Sequence, residues 1–293
     1  MRISTSLTGL LAAVALCACP GGGTVDTDGG TTGKDGGGTT GPTTTKTGNI
    51  LITQSATKVL DMTYYGGFAT ASFSTTVVPA GTTSPCVVTT SGSCTATRCT
   101  PVDAGTGSDA GAGPTNTVDS AGVITIGGTL IDGGITLTPT GANYPTAIQM
   151  SRVWADGATL TAGAAGATVP AFSGKTVVTP GSITVTAPAC TLTSCGTVNR
   201  ANALPVTWTG GASGNVTVTL TTSSGGNTGI VVCTFAASAG TGSVPADALS
   251  KLDAVAQGYM AIGSSNATDF TSGDYAIKLH AVGPGAQGAV VVQ

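Results

Sequence analysis

Two stretches, Val216-Thr-Val-Thr-Leu-Thr221 and Ile230-Val-Val-Cys-Thr-Phe235, decide the fold class of this chain. Apolar residues alternate with threonine in the first, and β-branched residues dominate the second. A period of two sends side chains to opposite faces of a strand, and β-branched residues favour strands. Glycine, serine and asparagine lie between the two stretches, as is typical of turns. The sequence therefore predicts two neighbouring strands of a half-buried sheet.

The same signal recurs through the C-terminal part of the chain, residues 180–293. Seven short stretches there are predicted to be strands: 183–186, 205–209, 216–221, 230–235, 259–262, 275–281 and 290–292. Seven strands separated by turn residues predict an immunoglobulin-like sandwich. We expect Trp208 and Cys233 in its core, and a short helix over residues 245–252.

The preceding part, residues 49–179, is expected to form a smaller β domain that leans on the sandwich. It ends at Thr179-Pro180-Gly181, which is typical of a hinge. Inside it, residues 59–65 and 69–77 predict a hairpin that turns at Gly66-Gly67. The fold class is therefore all-β, with a C-terminal immunoglobulin-like sandwich preceded by a smaller, disulfide-containing β domain.

Further strands are predicted over residues 123–126, 129–131 and 135–137, the last two flanking a turn at Asp132-Gly133-Gly134. Between these strands and the first hairpin lie residues 102–118, rich in glycine, alanine and aspartate. This composition predicts a disordered insertion.

The N-terminus is typical of an exported protein. Residues 1–18 hold one arginine and a short apolar run, which predicts a signal peptide that is too short to span a bilayer. Leu16-Cys-Ala-Cys19 resembles a bacterial lipobox. The resemblance implies cleavage before Cys19, lipidation of its sulfur, and membrane attachment through N-terminal acyl chains at the outer membrane or cell surface. Residues 19–48, rich in glycine, threonine and aspartate, predict a flexible tether.

Eight cysteines are present, and two of them, Cys17 and Cys19, lie in the lipobox-like segment. The other six are disulfide candidates: Cys86, Cys94, Cys99, Cys190, Cys195 and Cys233. An even number in an exported chain suggests three disulfides, and six cysteines allow 15 pairings. Spacing suggests pairs such as Cys94 with Cys99 or Cys190 with Cys195. Because each half holds three cysteines, either one bridge crosses between the halves or each half keeps a free thiol.

Composition argues against several functions. Only 8% of residues are charged and the net charge is −3, so no nucleic-acid partner is expected. With a single histidine, His280, and an oxidising compartment, we expect neither a metal site nor a cofactor. Alternation places Tyr275, Ile277 and Leu279 on one face of their strand and leaves Lys278 and His280 on a solvated face.

Catalytic motifs are weak. No Gly-x-Ser-x-Gly sequence occurs. Ser55-Ala-Thr-Lys58, Ser264-Ser-Asn266 and Lys46-Thr-Gly48 match the motifs of penicillin-binding enzymes, but their order along the chain is wrong. Five aspartates could supply the carboxylate pair of a glycosidase, although four of them lie in turn-like contexts: Asp61, Asp132, Asp156, Asp269 and Asp274. No enzymatic activity is therefore expected.

Aromatic residues are the candidates for ligand contact. Tyr64, Tyr65 and Trp154 could stack on a sugar ring or anchor a partner on the cell surface. Adjacent strand residues face opposite ways, so one of Tyr64 and Tyr65 should point outward. The expected function is a non-enzymatic, lipid-anchored envelope protein that acts as a structural or adhesive surface module. The alternative is a carbohydrate-binding or hydrolytic envelope protein.

Several segments between residues 120 and 293 resemble uncharacterised lipoproteins of myxobacterial type. They are 170–172 (Pro-Ala-Phe), 205–208 (Pro-Val-Thr-Trp), 233–235 (Cys-Thr-Phe), 240–249 (Gly-Thr-Gly-Ser-Val-Pro-Ala-Asp-Ala-Leu) and 273–275 (Gly-Asp-Tyr). The resemblance implies the sandwich and the lipid anchor. It implies no activity.

Overall fold

The computed structural model describes residues 42–59, 62–80, 86–100, 113–191 and 193–293. The predicted signal peptide, Cys19 and most of the predicted tether and insertion lie outside these residues. The regular secondary structure of the described chain is almost entirely strand, as the sequence predicted. Within the described residues, no helix is long and apolar enough to cross a membrane.

The strands occur where β-branched and hydroxyl residues alternate. The strands are β1 (Thr43–Val59), β2 (Met62–Val78), β3 (Cys86–Ser91), β4 (Cys94–Cys99), β5 (Thr115–Asp119), β6 (Ile124–Gly127), β7 (Ile135–Leu137), β8 (Ala147–Gln149), β9 (Thr159–Ala164), β10 (Phe172–Val178), β11 (Ile183–Ala187), β12 (Ser194–Val198), β13 (Leu204–Gly210), β14 (Asn215–Ser224), β15 (Asn227–Ala236), β16 (Thr241–Val244), β17 (Val255–Ser272) and β18 (Tyr275–Val292). A 3₁₀ turn spans Ala237–Ala239, and the helix α1 spans Ala246–Leu249 within the predicted helical stretch.

These strands form three sheets. The largest has the order β3-β4-β15-β14-β17-β18-β1-β2-β5, with β12 also paired to β18 and β8 to β2. A four-stranded sheet has the order β10-β9-β6-β7, and a three-stranded sheet has the order β11-β13-β16. Neighbours are antiparallel except that β1 and β12 each run parallel to β18.

The C-terminal strands form a sandwich of immunoglobulin-like arrangement. Strands β11, β13 and β16 make one layer, and β15, β14, β17 and β18 lie side by side in the other. Because β13 and β14 are consecutive but belong to different layers, the chain crosses between sheets as such sandwiches require. Trp208 and Cys233 are buried in the cluster between the layers, as predicted. The Trp208 Nε1–H donates to the Ala237 carbonyl at 2.7 Å.

A second core lies against the N-terminal strands. Side chains of β1, β2 and the four-stranded sheet fill it, together with four residues from the first half of β18: Tyr275, Ile277, Leu279 and Ala281. Val290 and Val292, from the other half of β18, belong to the sandwich core. The two C-terminal strands predicted at 275–281 and 290–292 are thus one strand of 18 residues that serves both cores.

Strands from both sides of the predicted boundary at residues 179 and 180 share the eleven-stranded sheet. Strand β1 pairs with β18 from Thr47 to Thr53, and β4 pairs with β15. The N-terminal core consists of residues before the boundary and the sandwich core of residues after it, with two exceptions. Residues of β18 also enter the N-terminal core, and residues of β4 also enter the sandwich core. Whether residues 49–179 and 180–293 fold as independent domains stays a prediction.

Three local expectations were wrong. The end of the predicted tether, from Thr43, is strand rather than linker, because β1 has β2 and β18 as partners there. The end of the predicted insertion, from Thr115, is strand β5, which pairs with β2. Residues 129–131 are not strand, and the hairpin joins β6 to β7.

Gly66-Gly67 does not form a turn. Both glycines lie inside β2, opposite Ser55 and Gln54 of β1. A Cβ at Gly67 would lie 2.7 Å from Cγ2 of Val153. Glycine is needed there because two segments of the chain approach each other closely. Close approach of another part of the backbone is, besides turns, a common reason for glycine within a strand.

All six candidate cysteines form disulfides: Cys86 with Cys99, Cys94 with Cys233, and Cys190 with Cys195. The suggested pair Cys190–Cys195 is confirmed, and so is a bridge between the two halves. The suggested pair Cys94–Cys99 is wrong. In the β3–β4 hairpin Cys99 lies directly opposite Cys86, and Cys94 lies opposite Cys233 of β15, so register decides the pairing.

Candidate functional site

The β1–β2 hairpin extends beyond the rest of the sheet. Strand β18 pairs with β1 only up to Thr53, and β8 pairs with β2 only from Gly67 onward. The last part of the hairpin, Ser55–Val59 against Met62–Gly66, therefore has no third strand among the described residues. A two-stranded ribbon in water is at best marginally stable by itself.

On one face of this extension β2 carries large apolar side chains, beside Thr57 and Ser55 of β1. Met62 and Tyr64 lie two residues apart on β2, and the Tyr64 hydroxyl donates to Sδ of Met62 at 4.0 Å, so both side chains lie on the same face. Phe68 follows on that face. Ile148 of β8 lies directly opposite Phe68 and therefore shares it. Met150 comes two residues after Ile148. We call Met62, Tyr64, Phe68 and Ile148, together with Met150 just past the end of β8, the outer strip.

The outer strip is open to solvent. Met62 is 58% exposed, Tyr64 54%, Ile148 57% and Met150 86%, and Phe68 is half-buried. Large apolar side chains at such exposure are ordinary when isolated, but a group of them on one face marks a contact surface.

The same face of β2 changes character after Phe68. The next outward residues are Thr70, Ser72, Ser74 and Thr76. The opposite face of β2 places Ala69, Ala71 and Phe73 in the N-terminal core. Beyond Phe68, this face of β2 therefore carries hydroxyl groups, as is usual for a solvated strand. Large apolar side chains on this face of β2 are confined to the part from Met62 to Phe68.

Tyr65 points to the other face and is partly covered. The guanidinium of Arg152 lies 5.4 Å from its ring centroid, a cation–π contact, and Tyr65 is 37% exposed. Arg152 also pairs with Asp156 at 3.3 Å, and Asp156 in turn accepts from the Ser182 amide at 2.8 Å. Tyr64 is therefore the freer of the two adjacent tyrosines.

Trp154 is not available to a ligand, contrary to the sequence prediction. Its side chain is fully buried in the N-terminal core. The buried side chain of Gln54 accepts from the backbone amides of Val153 and Trp154, each at 2.9 Å. These two hydrogen bonds fix the segment that contains Val153 and Trp154 against β1. The indole of Trp154 lies in the core.

Sequence reasoning found Tyr64 but missed Met62, Ile148 and Met150. Alternation along β2 placed Tyr64 on one face, and the same period extended backward would have included Met62. Ile148 joins the strip only because β8 pairs with β2, which no local pattern in the sequence indicates, and Met150 follows just past the end of β8.

The groups that resembled catalytic motifs lie apart. Ser55 is an exposed strand residue whose hydroxyl donates to the Gly66 carbonyl at 3.1 Å, whereas Ser264 is buried on β17. His280 lies on the face of β18 opposite the core, beside Lys278, but it is half-buried and not fully solvated as expected. Burial lowers its pKa from the usual value, and the nearby Lys278 charge lowers it further.

A buried carboxylate occupies the N-terminal core but has an internal role. Asp119 accepts from the Thr75 hydroxyl at 2.6 Å and from the Tyr275 hydroxyl at 2.9 Å. These bonds join β5, β2 and β18. Burial is the main reason that the pKa of Tyr275 is raised, so its phenol stays protonated and keeps donating to Asp119.

A shallow depression lies on the four-stranded sheet, on the side lined by Thr125, Thr161, Gly163 and Ser173. It measures about 340 Å³ and is open to solvent. Its walls offer hydroxyl groups and bare glycine backbone. Among the described residues, no group of three or more His, Cys, Asp or Glu could hold a metal ion.

The outer strip is thus the feature of the described chain that most resembles a contact surface, with Met62 and Tyr64 exposed on the projecting hairpin and Ile148 and Met150 exposed at and just past β8. No protein-family model, curated protein or solved structure gives a significant match to this chain.

Proposed function

We propose that this chain is a non-enzymatic, lipid-anchored protein of the outer membrane or cell surface, and that it acts as a structural or adhesive module. The outer strip is the observation that carries the proposal. Tyrosine and methionine are enriched in the centres of protein interfaces, where charged residues are depleted. The strip combines both types and contains no charged residue.

The position of the strip supports presentation to a partner. Thr43 is the first residue of β1, and Met62 and Tyr64 lie beside its other end, opposite Val59 and Thr57. A strand rises ~3.3 Å per residue, so the 17 residues of β1 separate its two ends by roughly 50 Å. Met62 and Tyr64 therefore lie at the end of the β1–β2 hairpin that is far from Thr43.

The disulfides suit the same role. Three bridges hold the body together, and one of them joins the β3–β4 hairpin to the sandwich. Structural disulfides persist in oxidising compartments and resist unfolding outside the cell. This supports an exported body.

Adhesion by the strip can be tested with beads that carry the full chain, measured as bead attachment to the surface of cells that produce it. Tyr64→Ser should reduce attachment several-fold. Ser72→Ala is the matched control, because Ser72 is exposed on the same face of the same strand. Attachment that is equal for both variants and the unmodified chain would contradict the proposal.

The anchor can be tested separately by growing producing cells with radioactive palmitate. The label should enter the unmodified chain and the Cys17→Ala variant but not the Cys19→Ala variant. Label that persists in Cys19→Ala would rule out Cys19 as the acylated residue.

A second candidate is carbohydrate binding, favoured by the hydroxyl-lined depression next to Ser173 and by the exposed ring of Tyr64. Sugars are held by stacking on aromatic rings together with hydrogen bonds to hydroxyl and backbone groups. A glycan array with the full chain would favour this candidate if selective binding is lost in Tyr64→Ser or in Thr125→Val.

A further inference from the structure

We infer that Asp132 is a site of spontaneous covalent modification, at which the peptide bond between Asp132 and Gly133 rearranges to the isoaspartyl form. In this reaction the backbone nitrogen of the following residue attacks the aspartate carboxyl carbon. Glycine favours it, because it has no Cβ to obstruct the approach and its backbone is the most freely rotating. The described chain holds two Asp-Gly pairs, Asp132–Gly133 and Asp156–Gly157, and their surroundings differ. The inference is independent of the proposed adhesive role.

Asp132 and Gly133 are the two central residues of the turn that leads into β7. The Gly134 amide donates to the Ile131 carbonyl at 2.9 Å and closes this turn. Gly133 has a φ of +76°, and both central residues are exposed. A Cβ at Gly133 would meet nothing within 4 Å. The surroundings therefore leave this peptide room to move.

Both reacting groups of this pair are free of hydrogen bonds. Within the part of the chain that the structure describes, no hydrogen bond or ion pair holds the Asp132 carboxylate, and no carbonyl accepts from the Gly133 amide. The carboxylate can therefore rotate about χ1 until its carbon faces the Gly133 nitrogen, without first breaking a contact.

The other Asp-Gly pair is held at both reacting groups. Asp156 Oδ2 accepts from the Ser182 amide at 2.8 Å, and Oδ1 accepts from the Ser182 hydroxyl at 3.0 Å and from Arg152 at 3.3 Å. The Gly157 amide donates to the Thr179 carbonyl at 3.3 Å. Rotation of this carboxylate and attack by this nitrogen would each break hydrogen bonds that the fold supplies. The same dipeptide should therefore react slowly here.

The rearrangement consumes no reagent. The Gly133 nitrogen loses its proton and bonds to Cγ of Asp132, the carboxyl hydroxyl leaves as water, and a succinimide ring forms. Water then adds to one of the ring carbonyls. Opening of the bond between Cγ and the Gly133 nitrogen restores aspartate. Opening of the bond between the main-chain carbonyl carbon and that nitrogen leaves the chain running through Cγ, with a carboxylate on Cα. One water leaves and one returns, so the mass is unchanged.

The product should loosen the β6–β7 hairpin. It adds one methylene to the main chain inside the turn that the bond between Ile131 and Gly134 closes. Strand β7 lies at the edge of its sheet, where its strand partner in the described chain is β6. Ile135 and Leu137 of β7 belong to the N-terminal core. The modification therefore acts on that core and not on the sandwich core.

The test compares the two sites within one sample of the full chain. The folded chain and the chain unfolded in guanidinium are incubated for several weeks at mildly alkaline pH. Peptides are separated by chromatography, and electron-transfer dissociation distinguishes isoaspartate from aspartate at each site. We expect at least fivefold more isoaspartate at Asp132 than at Asp156 in the folded chain, because only Asp156 is held by hydrogen bonds. The unfolded chain should show similar amounts at both sites, since glycine follows each.

Variants test each half of the explanation. Asp132→Glu should give no rearranged product at this position, since glutamate would need a larger ring. Arg152→Ala/Ser182→Ala removes two donors from the Asp156 carboxylate and should raise isoaspartate at Asp156 several-fold without changing that at Asp132. Circular dichroism checks that the variants are folded.

Two results with the unmodified chain would overturn the inference. Equal isoaspartate at both sites of the folded chain would show that the hydrogen bonds around Asp156 do not decide the reaction. Isoaspartate at Asp132 that forms in the unfolded chain but not in the folded chain would show that the turn prevents the attack.

Discussion

Cys94 of β4 lies directly opposite Cys233 of β15, and the two residues form a disulfide although they are 139 residues apart in sequence. Both residues are buried in the sandwich core. The bond therefore fixes the β3–β4 hairpin to β15, which belongs to the other half of the chain. Cys190–Cys195, by contrast, closes a loop with a separation of only 5 residues.

Removing the long-range bridge should cost more stability than removing the short one. In the chain-entropy account, a loop of this length stabilises by about 5 kcal/mol, and a loop like that of Cys190–Cys195 by about 2 kcal/mol. We expect Cys94→Ala/Cys233→Ala to lower the free energy of unfolding in guanidinium by clearly more than Cys190→Ala/Cys195→Ala. Equal losses would contradict the entropic explanation.

Gly67 should be far less tolerant of substitution than its neighbour Gly66. A Cβ at Gly67 would approach Val153 Cγ2 to 2.7 Å and the Thr53 carbonyl more closely still, whereas a Cβ at Gly66 meets nothing nearer than 3.4 Å. We expect Gly67→Ala to lose about 1–3 kcal/mol of unfolding free energy. Gly66→Ala is the matched control and should change it by less than about 0.5 kcal/mol. A similar loss in both variants would contradict the explanation by close contact at Gly67.

These two glycines show where local patterns stop being informative. Alternation along the chain was enough to predict the β class, the short helix and the burial of Trp208 and Cys233, because each depends on local period. Gly66-Gly67 was misread as a turn because glycine marks both turns and close approaches, and only the position of Val153 distinguishes them. Contacts between distant segments carry no local signal.

The candidate site divides in the same way. Alternation predicted that one of the adjacent Tyr64 and Tyr65 points outward, but not which of the two. Ile148 could not be predicted as part of the strip, since its place beside Phe68 depends on pairing between β2 and β8, some 80 residues apart. Trp154 was predicted as a ligand contact because exposed and buried indoles have the same sequence signature. Its side chain lies in the N-terminal core, in a segment that Gln54 holds against β1.

Gln54 should be important for stability because one buried oxygen serves two buried amides. Its Oε1 accepts from the backbone N–H groups of Val153 and Trp154, each at 2.9 Å. Gln54→Met keeps most of the volume but removes the acceptor, so we expect a loss of about 2 kcal/mol. Urea unfolding measures it. Ser55→Ala, at the exposed neighbouring position, should change stability by less than about 0.5 kcal/mol. An unchanged midpoint in Gln54→Met would show that the two amides find other partners.

His280 should make stability fall as the pH drops below neutral. Burial and the charge of Lys278 lower its pKa in the folded chain, although Asp269 opposes them. The unfolded chain then binds a proton more readily, so the stabilisation is complete above the ordinary histidine pKa of ~6.5 and is lost as the pH falls through the lowered value. Free energies of unfolding measured between pH 8 and pH 5 should decline less for His280→Gln than for the unmodified chain. In Lys278→Ala the decline should be shallower, because one cause of the lowered pKa is gone. Since His280 is the single histidine of the chain, parallel curves for the unmodified chain and His280→Gln would show that folding leaves its pKa unchanged.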